Sequence, residues 1–362
     1  MTQQIYKNTP DTAQAPIIIA GPCSAENEEQ LLSTAEGISK LPQVSIFRAG
    51  IWKPRTKPGT FEGVGEKAFP WLKKVKEKYG LKIAVEIAKP EHVELCLSHP
   101  ESIDMVWIGA RTTGNPFSVQ AIADALEGAD IPVMIKNPIN PDLGLWIGAT
   151  QRIMRAGIKN IMAIHRGFSP FSETYLRNIP KWEIAIDYRI QFPEIPMIND
   201  PSHISGSRLY ILKIAQRALN LNFNGLMIET HFCPEKAKSD AEQQLTPKQL
   251  SEILDALQFR IPPGDEQEDN QLLNDFRDQI DSIDYQLLEL LAKRMHIVEN
   301  IGKYKQKNNI SIFQLKRWIG IIESRIEFGK QFEMHEPFVK KMLQLVHRES
   351  IRQQAEIMNG TS

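Results

Sequence analysis

The residues of this chain best equipped for chemistry each follow a short apolar run. Reading just past eight such runs gives Cys23, then Arg48 and Lys53, Glu86, Arg111, Lys136, His165 and Arg166, Asp200 and His203, and finally Glu229. Arg48, Lys53, Arg111, Lys136 and Arg166 gathered at one rim would be a costly like-charge cluster unless anionic ligands offset it. Two phosphorylated substrates, or one bearing both phosphate and carboxylate, would do so. A second set, Cys23, His203, Glu229 and Asp240, combines a thiolate, an imidazole and two carboxylates. That mixture suits one divalent transition metal ion, Mn, Fe, Co or Zn, better than Mg or Ca. An ion with open positions there would polarise a carbonyl as a Lewis acid.

These side chains need a scaffold that brings distant segments to one place. The runs are Pro16–Ala20, Val44–Arg48, Lys82–Glu86, Met105–Gly109, Pro132–Lys136, Asn160–Ile164, Pro196–Asn199 and Gly225–Glu229, and longer amphipathic stretches separate them. They are apolar throughout rather than alternating, as parallel strands covered on both faces are. Eight β-α units over about 250 residues predict a closed (β/α)8 barrel, whose chemistry sits beyond the C-terminal ends of the strands. An open doubly wound sheet is the alternative, but the first turn, Gly21-Pro-Cys-Ser24, lacks the glycine spacing of a dinucleotide fold.

The whole chain of 362 residues carries 43 basic and 44 acidic side chains, a net charge of −1. That balance argues against nucleic acid as a partner. No apolar run reaches the roughly 18 residues of a membrane span, and the N-terminus has no signal-peptide pattern, so a soluble, cytoplasmic protein is expected. Three cysteines, Cys23, Cys96 and Cys233, do not make a disulfide framework.

The composition shifts at Ile261–Asn270, rich in proline and acids, which reads as an interdomain linker. The expected domains are 1–262 and 271–362, with 263–270 between them. Beyond the linker, Leu273, Phe276, Ile280, Ile283, Leu287, Leu290, Ile297 and Ile301 recur mostly at spacings of three and four, the mark of one long amphipathic helix. Continued to Lys307, it would be about 55 Å long. A small helical domain cannot cover such a stripe, so a homodimer through this domain is expected. Arg294 and Lys305 return to within roughly 20° of one helix face, whereas Arg277 is displaced by about 100°. Two antiparallel helices from two chains would converge all three, with Arg317 nearby.

Nine segments of the first part, Ala20-Gly-Pro-Cys-Ser24, Phe47-Arg-Ala-Gly50, Trp52-Lys-Pro-Arg-Thr56, Gly109-Ala-Arg-Thr112, Ile135-Lys-Asn-Pro138, His165-Arg-Gly167, Asp200-Pro-Ser-His203, Ile228-Glu-Thr-His231 and Ser239-Asp240, stand in the order of a known family. Over residues 16–262 the chain closely resembles 3-deoxy-D-arabino-heptulosonate 7-phosphate synthase in its short Iβ form. The resemblance implies condensation of phosphoenolpyruvate with erythrose 4-phosphate and release of phosphate, the first committed step toward chorismate. It makes Cys23, His203, Glu229 and Asp240 the metal ligands. It gives Arg48, Lys53, Arg111, Lys136 and Arg166 to phosphoenolpyruvate, and Lys53, Arg55 and Thr56 to erythrose 4-phosphate. Lys53 is the expected proton donor, a task assigned to a lysine of lowered pKa, and Glu86 and His165 are expected to support the rim. The sister enzyme that makes 3-deoxy-D-manno-octulosonate 8-phosphate is the rival, but its corresponding segment resembles Lys-Ala-Asn-Arg rather than Lys53-Pro-Arg-Thr56.

The second part resembles the all-helical chorismate mutases over about 270–358, through Leu272–Asp284, Leu287–Arg294, Ile301–Lys305 and Ser350–Gln354. By that resemblance Arg277, in trans, and Arg294 clamp the two carboxylates of chorismate, Lys305 and Gln354 donate to its ether oxygen, and Arg317 adds an anionic contact. An all-α three-helix domain follows. Two positions depart from the family. Gln314 stands where an aspartate is common, and Trp318 where a glutamate commonly binds the substrate hydroxyl, a hydrogen bond indole cannot accept. The alternative role for this domain is a dimerising sensor of chorismate or prephenate, feeding back on the barrel.

Overall fold

The computed structural model describes residues 16–54, 59–170, 174–259 and 271–360. Arg55, Thr56 and the expected linker 263–270 lie outside them. The chain divides into two compact units, Met1–Pro262 and Pro263–Ser362.

In the first unit, eight parallel strands pair in chain order and close into a barrel. They are β1 (Ile17–Gly21), β2 (Val44–Ala49), β3 (Lys82–Ile87), β4 (Met105–Ile108), β5 (Val133–Lys136), β6 (Ile161–His165), β7 (Met197–Asn199) and β8 (Gly225–Glu229). Each lies within one residue of the apolar run that predicted it. The sequence is apolar on both strand faces because both are buried, in two separate cores. One face packs against the surrounding helices, through residues such as Phe47, Val85, Ile135 and Ile228. The other fills the barrel with Ile19, Ile46, Ala84, Met105, Trp107, Met134, Met162, Ile164, Ile198 and Met227.

Strand side chains share a face every second residue. Two positions beyond Ile46, Ala84, Met134, Ile164, Ile198 and Met227 stand Arg48, Glu86, Lys136, Arg166, Asp200 and Glu229. The apolar floor therefore carries an ionisable ring directly above it. Closure sets its neighbours, since Gly21 of β1 lies opposite Glu229 of β8, which brings Cys23 beside that carboxylate. Gly21 has φ +147°, and a Cβ there would meet the Arg48 carbonyl oxygen at 2.1 Å. Only glycine fits.

The second unit is three helices, Gln271–Lys307, Leu315–Lys330 and Glu336–Asn359. The last packs against both others. The first ends at Lys307, as its periodicity predicts, yet within one chain its stripe stays uncovered: Phe276, Ile283 and Leu290 are 52%, 56% and 61% exposed. Among the described residues, no helix is long and apolar enough to cross a membrane.

Candidate functional site

The barrel mouth holds a cavity of about 270 Å³ lined by Arg48, Lys53, Glu86, Arg111, Lys136, Arg166, Arg177, Asn178, His203 and Asp240, with Pro54, Ala110, Ile139 and Ser169. Arg48 is fully buried. Its Nη2 lies 3.1 Å from Glu229 Oε1, near enough for charge pairing but misaligned for a hydrogen bond, so among the described residues its three nitrogens and that oxygen have no hydrogen-bond partner. The guanidinium also sits 4.9 Å from the Trp107 ring centroid. Buried donors without acceptors on the wall of a polar cavity are what an anion site requires.

Lys136 donates to Asp200 Oδ2 at 2.7 Å, yet burial holds its ammonium below the usual lysine value. Arg166 donates to Asn178 Oδ1 at 2.7 Å and to the Gly167 carbonyl at 3.2 Å. Burial lowers it to about 10, against the pull of Asp200, and Arg177 and Arg111 lower it further. These cations are crowded, and an anionic ligand would relieve them.

The proposed metal ligands come from four segments. Cys23 Sγ lies 3.1 Å from Asp240 Oδ2, and Cys23, Glu229 and Asp240 present ligand atoms within 4.8 Å of one another. His203 stands just outside that triad, with Nε2 3.7 Å from Glu229 Oε1. Local sequence places it: Asp200 caps the short helix Pro201–Ser205 by accepting from His203 N at 3.0 Å, with proline at the first helical position. The same carboxylate lies 2.8 Å from His203 Nδ1. With the Nδ1 proton given to Asp200, the Nε2 lone pair faces the triad, the orientation a histidine ligand needs. The mixed donors and the orphaned Glu229 oxygen fit a divalent transition metal.

Electrostatics keep this set in check. Burial, then Glu229, pushes the Cys23 thiol up to about 12. Burial raises Glu229 and Asp240 too, but His203 with Arg48 holds the first below its ordinary value, and Arg177 with His203 the second. A bound cation would bring the thiol down in the same way.

Lys53 donates to the Cys23 carbonyl at 3.0 Å and lies 3.7 Å from Glu86 Oε2. The expectation of a lowered pKa is corrected. Burial does lower it, but Cys23 and then Glu86, with Glu229, outweigh burial and hold the ammonium above its ordinary value.

His165 is also corrected as a rim residue. It ends β6 on the outward face, packed among Trp182, Phe223 and Phe168, with Nε2 2.6 Å from the Pro180 carbonyl. Burial lowers it to about 4, so it is a neutral structural imidazole.

Two residues escaped the sequence reading. Arg177 donates to Asp240 Oδ1 at 2.9 Å and to Gln243 Oε1 at 2.7 Å, and Gln243 donates to Glu229 Oε2 at 2.6 Å. Together they steady two of the proposed metal carboxylates. Arg177 lies in a loop and Gln243 ends a short 3-10 turn, Ala241–Gln243, both away from strand ends, where spacing carries no signal.

In the helical unit, Arg294 donates to Ser350 Oγ and Lys305 to the Ile312 carbonyl, each at 2.6 Å. Gln354 donates to the Ser350 carbonyl at 3.2 Å. Arg317 stands near enough to depress Lys305, after burial. Arg277 is instead on the exposed N-terminal part of the long helix, donating to Asn274 Oδ1 at 3.2 Å. Seventeen residues before Arg294, it lies about 25 Å along the axis, so one chain does not bring it to the others. Trp318 lies flat on His347, ring centroids 3.9 Å apart and planes 7° from parallel.

Comparison with known proteins separates the two units. Residues 10–259 match the model of the DAHP synthetase I family, and residues 276–355 that of chorismate mutase type II. The phospho-2-dehydro-3-deoxyheptonate aldolase of Thermotoga maritima is 30% identical over 237 residues, 66% of this chain and 67% of that protein. The crystal structure of that organism's DAHP synthase superposes with a TM-score of 0.60 at 28% identity, over 68% of this chain and 70% of that one. A 2-dehydro-3-deoxyphosphooctonate aldolase of Desulfatibacillum aliphaticivorans is 27% identical over 259 residues, 67% of this chain and 90% of that protein. A bifunctional chorismate mutase/prephenate dehydratase of Buchnera aphidicola is 34% identical over 90 residues, 25% of this chain and 23% of that protein.

Proposed function

The chain belongs to the DAHP synthetase I family and carries a chorismate mutase type II domain, and from that premise we propose two reactions for this bifunctional shikimate-pathway enzyme. The barrel condenses phosphoenolpyruvate with erythrose 4-phosphate. The observation that carries this reading is the buried, hydrogen-bond-free guanidinium of Arg48 beside Lys136 and Arg166, on one cavity with the Cys23, Glu229 and Asp240 triad.

Arg48, Arg111, Lys136 and Arg166 hold the phosphate and carboxylate of phosphoenolpyruvate, fixing its C3 toward the aldehyde. Lys53, with Arg55 and Thr56, takes erythrose 4-phosphate. When bound to Cys23, His203, Glu229 and Asp240, a divalent Mn, Fe, Co or Zn ion supplies Lewis-acid polarisation of the aldehyde carbonyl. C3 then bonds to C1, the carbonyl electron pair moves to oxygen, and Lys53 Nζ gives that oxygen a proton. An ammonium suits this role, since an alkoxide is much the stronger base. Water adds at the cationic C2 and loses one proton to solvent. The hemiketal phosphate then collapses: its hydroxyl proton passes to the departing phosphate, the C2 ketone forms and the C–O bond to phosphate breaks. The arginines stabilise the anionic phosphate throughout.

The helical unit rearranges chorismate to prephenate as a homodimer. Arg294 and a second chain's Arg277 bind the carboxylates, and Lys305 and Gln354 the ether oxygen, with Arg317 close by. Holding the compact conformer is sufficient catalysis, because no proton transfer is required. A sensing domain is the second reading, favoured by Trp318 at the hydroxyl position. The test is phosphate release from phosphoenolpyruvate with erythrose 4-phosphate, with and without chelator, while chorismate disappearance is followed alongside. Release that is chelator-sensitive and requires erythrose 4-phosphate is expected; turnover of arabinose 5-phosphate instead would shift the barrel to the octulosonate reaction. Chorismate consumption that Arg294→Ala abolishes is expected, whereas a sensor has no rate to lose.

A further inference from the structure

Trp318 removes the acceptor that the resemblance places against the ligand's ring hydroxyl, yet its neighbourhood is not apolar. Its indole covers one face of the His347 imidazole, and Phe313 stands 6.0 Å from the same ring. The imidazole is thereby fixed in orientation, and its Nε2 is buried without a hydrogen-bond partner among the described residues. A second atom, two turns further along the same helix, shares that condition. Gln354, 7% exposed, gives its amide N–H to Ser350 and leaves Oε1 buried and unpartnered. Arg294 and Lys305 act on His347 electrostatically, which places it among the cations of the mutase site.

Buried polar atoms without partners are rare and call for an explanation. A ligand that brings a hydrogen-bonding group to His347 supplies one for the imidazole. We infer that His347, held flat by Trp318, is the group of this chain that binds the ring hydroxyl of the helical unit's ligand, so that the contact made elsewhere by a carboxylate has passed to an imidazole. Burial, followed by Arg294 and Lys305, disfavours the imidazolium. A neutral imidazole, unlike a carboxylate, can offer the hydroxyl either a lone pair or an N–H. Trp318 is then a positioning residue, and its loss of hydrogen-bonding capacity and His347's unpartnered nitrogen are two halves of one change.

This inference rests on the mutase reading, and the experiment separates the two. Chorismate and an analogue lacking only the ring hydroxyl are each given to the full chain and to His347→Phe, which keeps a flat ring under Trp318 but has no nitrogen. Dissociation constants are measured for both ligands and KM for chorismate. His347→Phe is expected to weaken chorismate about tenfold, the discrimination typical of one lost hydrogen bond, and to leave the deoxy analogue unchanged. His347→Gln, which restores a polar end, is expected to fall between. Adding Trp318→Glu to His347→Phe is expected to recover chorismate binding by returning the carboxylate. Equal weakening of both ligands, or no weakening of either, overturns the inference while leaving the mutase reading intact. A parent chain that neither binds nor converts chorismate removes the reading and the inference with it.

Discussion

At the scale of single residues, Asp200 links the two halves of the barrel site. One fully buried carboxylate takes Lys136 Nζ at 2.7 Å and His203 Nδ1 at 2.8 Å, so it positions both a cation of the proposed substrate site and a proposed metal ligand. Burial alone would raise it, but His203 and Lys136 hold it well below the usual carboxylate range. Asp200→Asn keeps the shape and removes the charge, turning one acceptor into a donor that must face an ammonium or an imidazole N–H. We expect a loss of about 10–100-fold in Mn²⁺ affinity, the usual cost of removing a histidine's supporting carboxylate. Competition titration against a chelator measures it, and undiminished affinity would refute the orienting role. Asp200 was visible in the sequence as a rim residue, since it follows a strand. Its purpose was not, because that depends on which neighbour each oxygen faces. Arg177 and Gln243 were invisible for a stronger reason, as contacts across 63 and 14 residues leave no local pattern.

At the scale of elements, the eight runs were legible because a parallel strand with two buried faces is apolar at every position. That same uniformity hid which face was which. His165 and Arg166 are consecutive and both polar, yet one packs under helices and the other lines the cavity. Only the register, with Ile164 among the interior residues, decides between them. Gly21 tests the precision of this arrangement. Gly21→Ala would press a methyl group onto the Arg48 backbone in a conformation that side chains avoid. We expect destabilisation of roughly 1–3 kcal/mol, as for other overpacked cores, together with weaker metal binding because Cys23 and Arg48 are displaced jointly. Thermal unfolding of the metal-free and Mn²⁺-loaded forms measures both; an unchanged gain from Mn²⁺ would show that the strand end moves without the site.

At the scale of the whole molecule, the long helix was legible from spacing alone, and its need for a partner followed from its length. The exposed stripe sharpens that argument: burying each Leu, Ile or Phe is worth roughly 1.5–3 kcal/mol, a gain the single chain forgoes along most of the helix. Leu290→Glu, at a position 61% exposed within one chain, is expected to convert a dimer to a monomer in sedimentation velocity. Chorismate turnover should then fall with dissociation, since Arg277 is far from Arg294, while phosphate release by the barrel continues. A monomeric parent of full mutase activity would contradict the proposed pairing. The masking of charge also belongs to this scale, because a net charge of −1 conceals a cavity whose cations are paired with buried or half-buried carboxylates, Glu86, Asp200, Glu229 and Asp240.

The floor beneath that cavity has a further chemical property. Four of its ten interior residues are methionines, Met105, Met134, Met162 and Met227, and none is more than 3% exposed. Thioethers oxidise to sulfoxides once an oxidant reaches them, and the product is polar and hard to repack. Sealed below the charged ring, these sulfurs are protected for as long as the barrel stays shut. Oxidation of this floor therefore requires the barrel to open first, so sulfoxide at these four positions would mark chains that have left the native state.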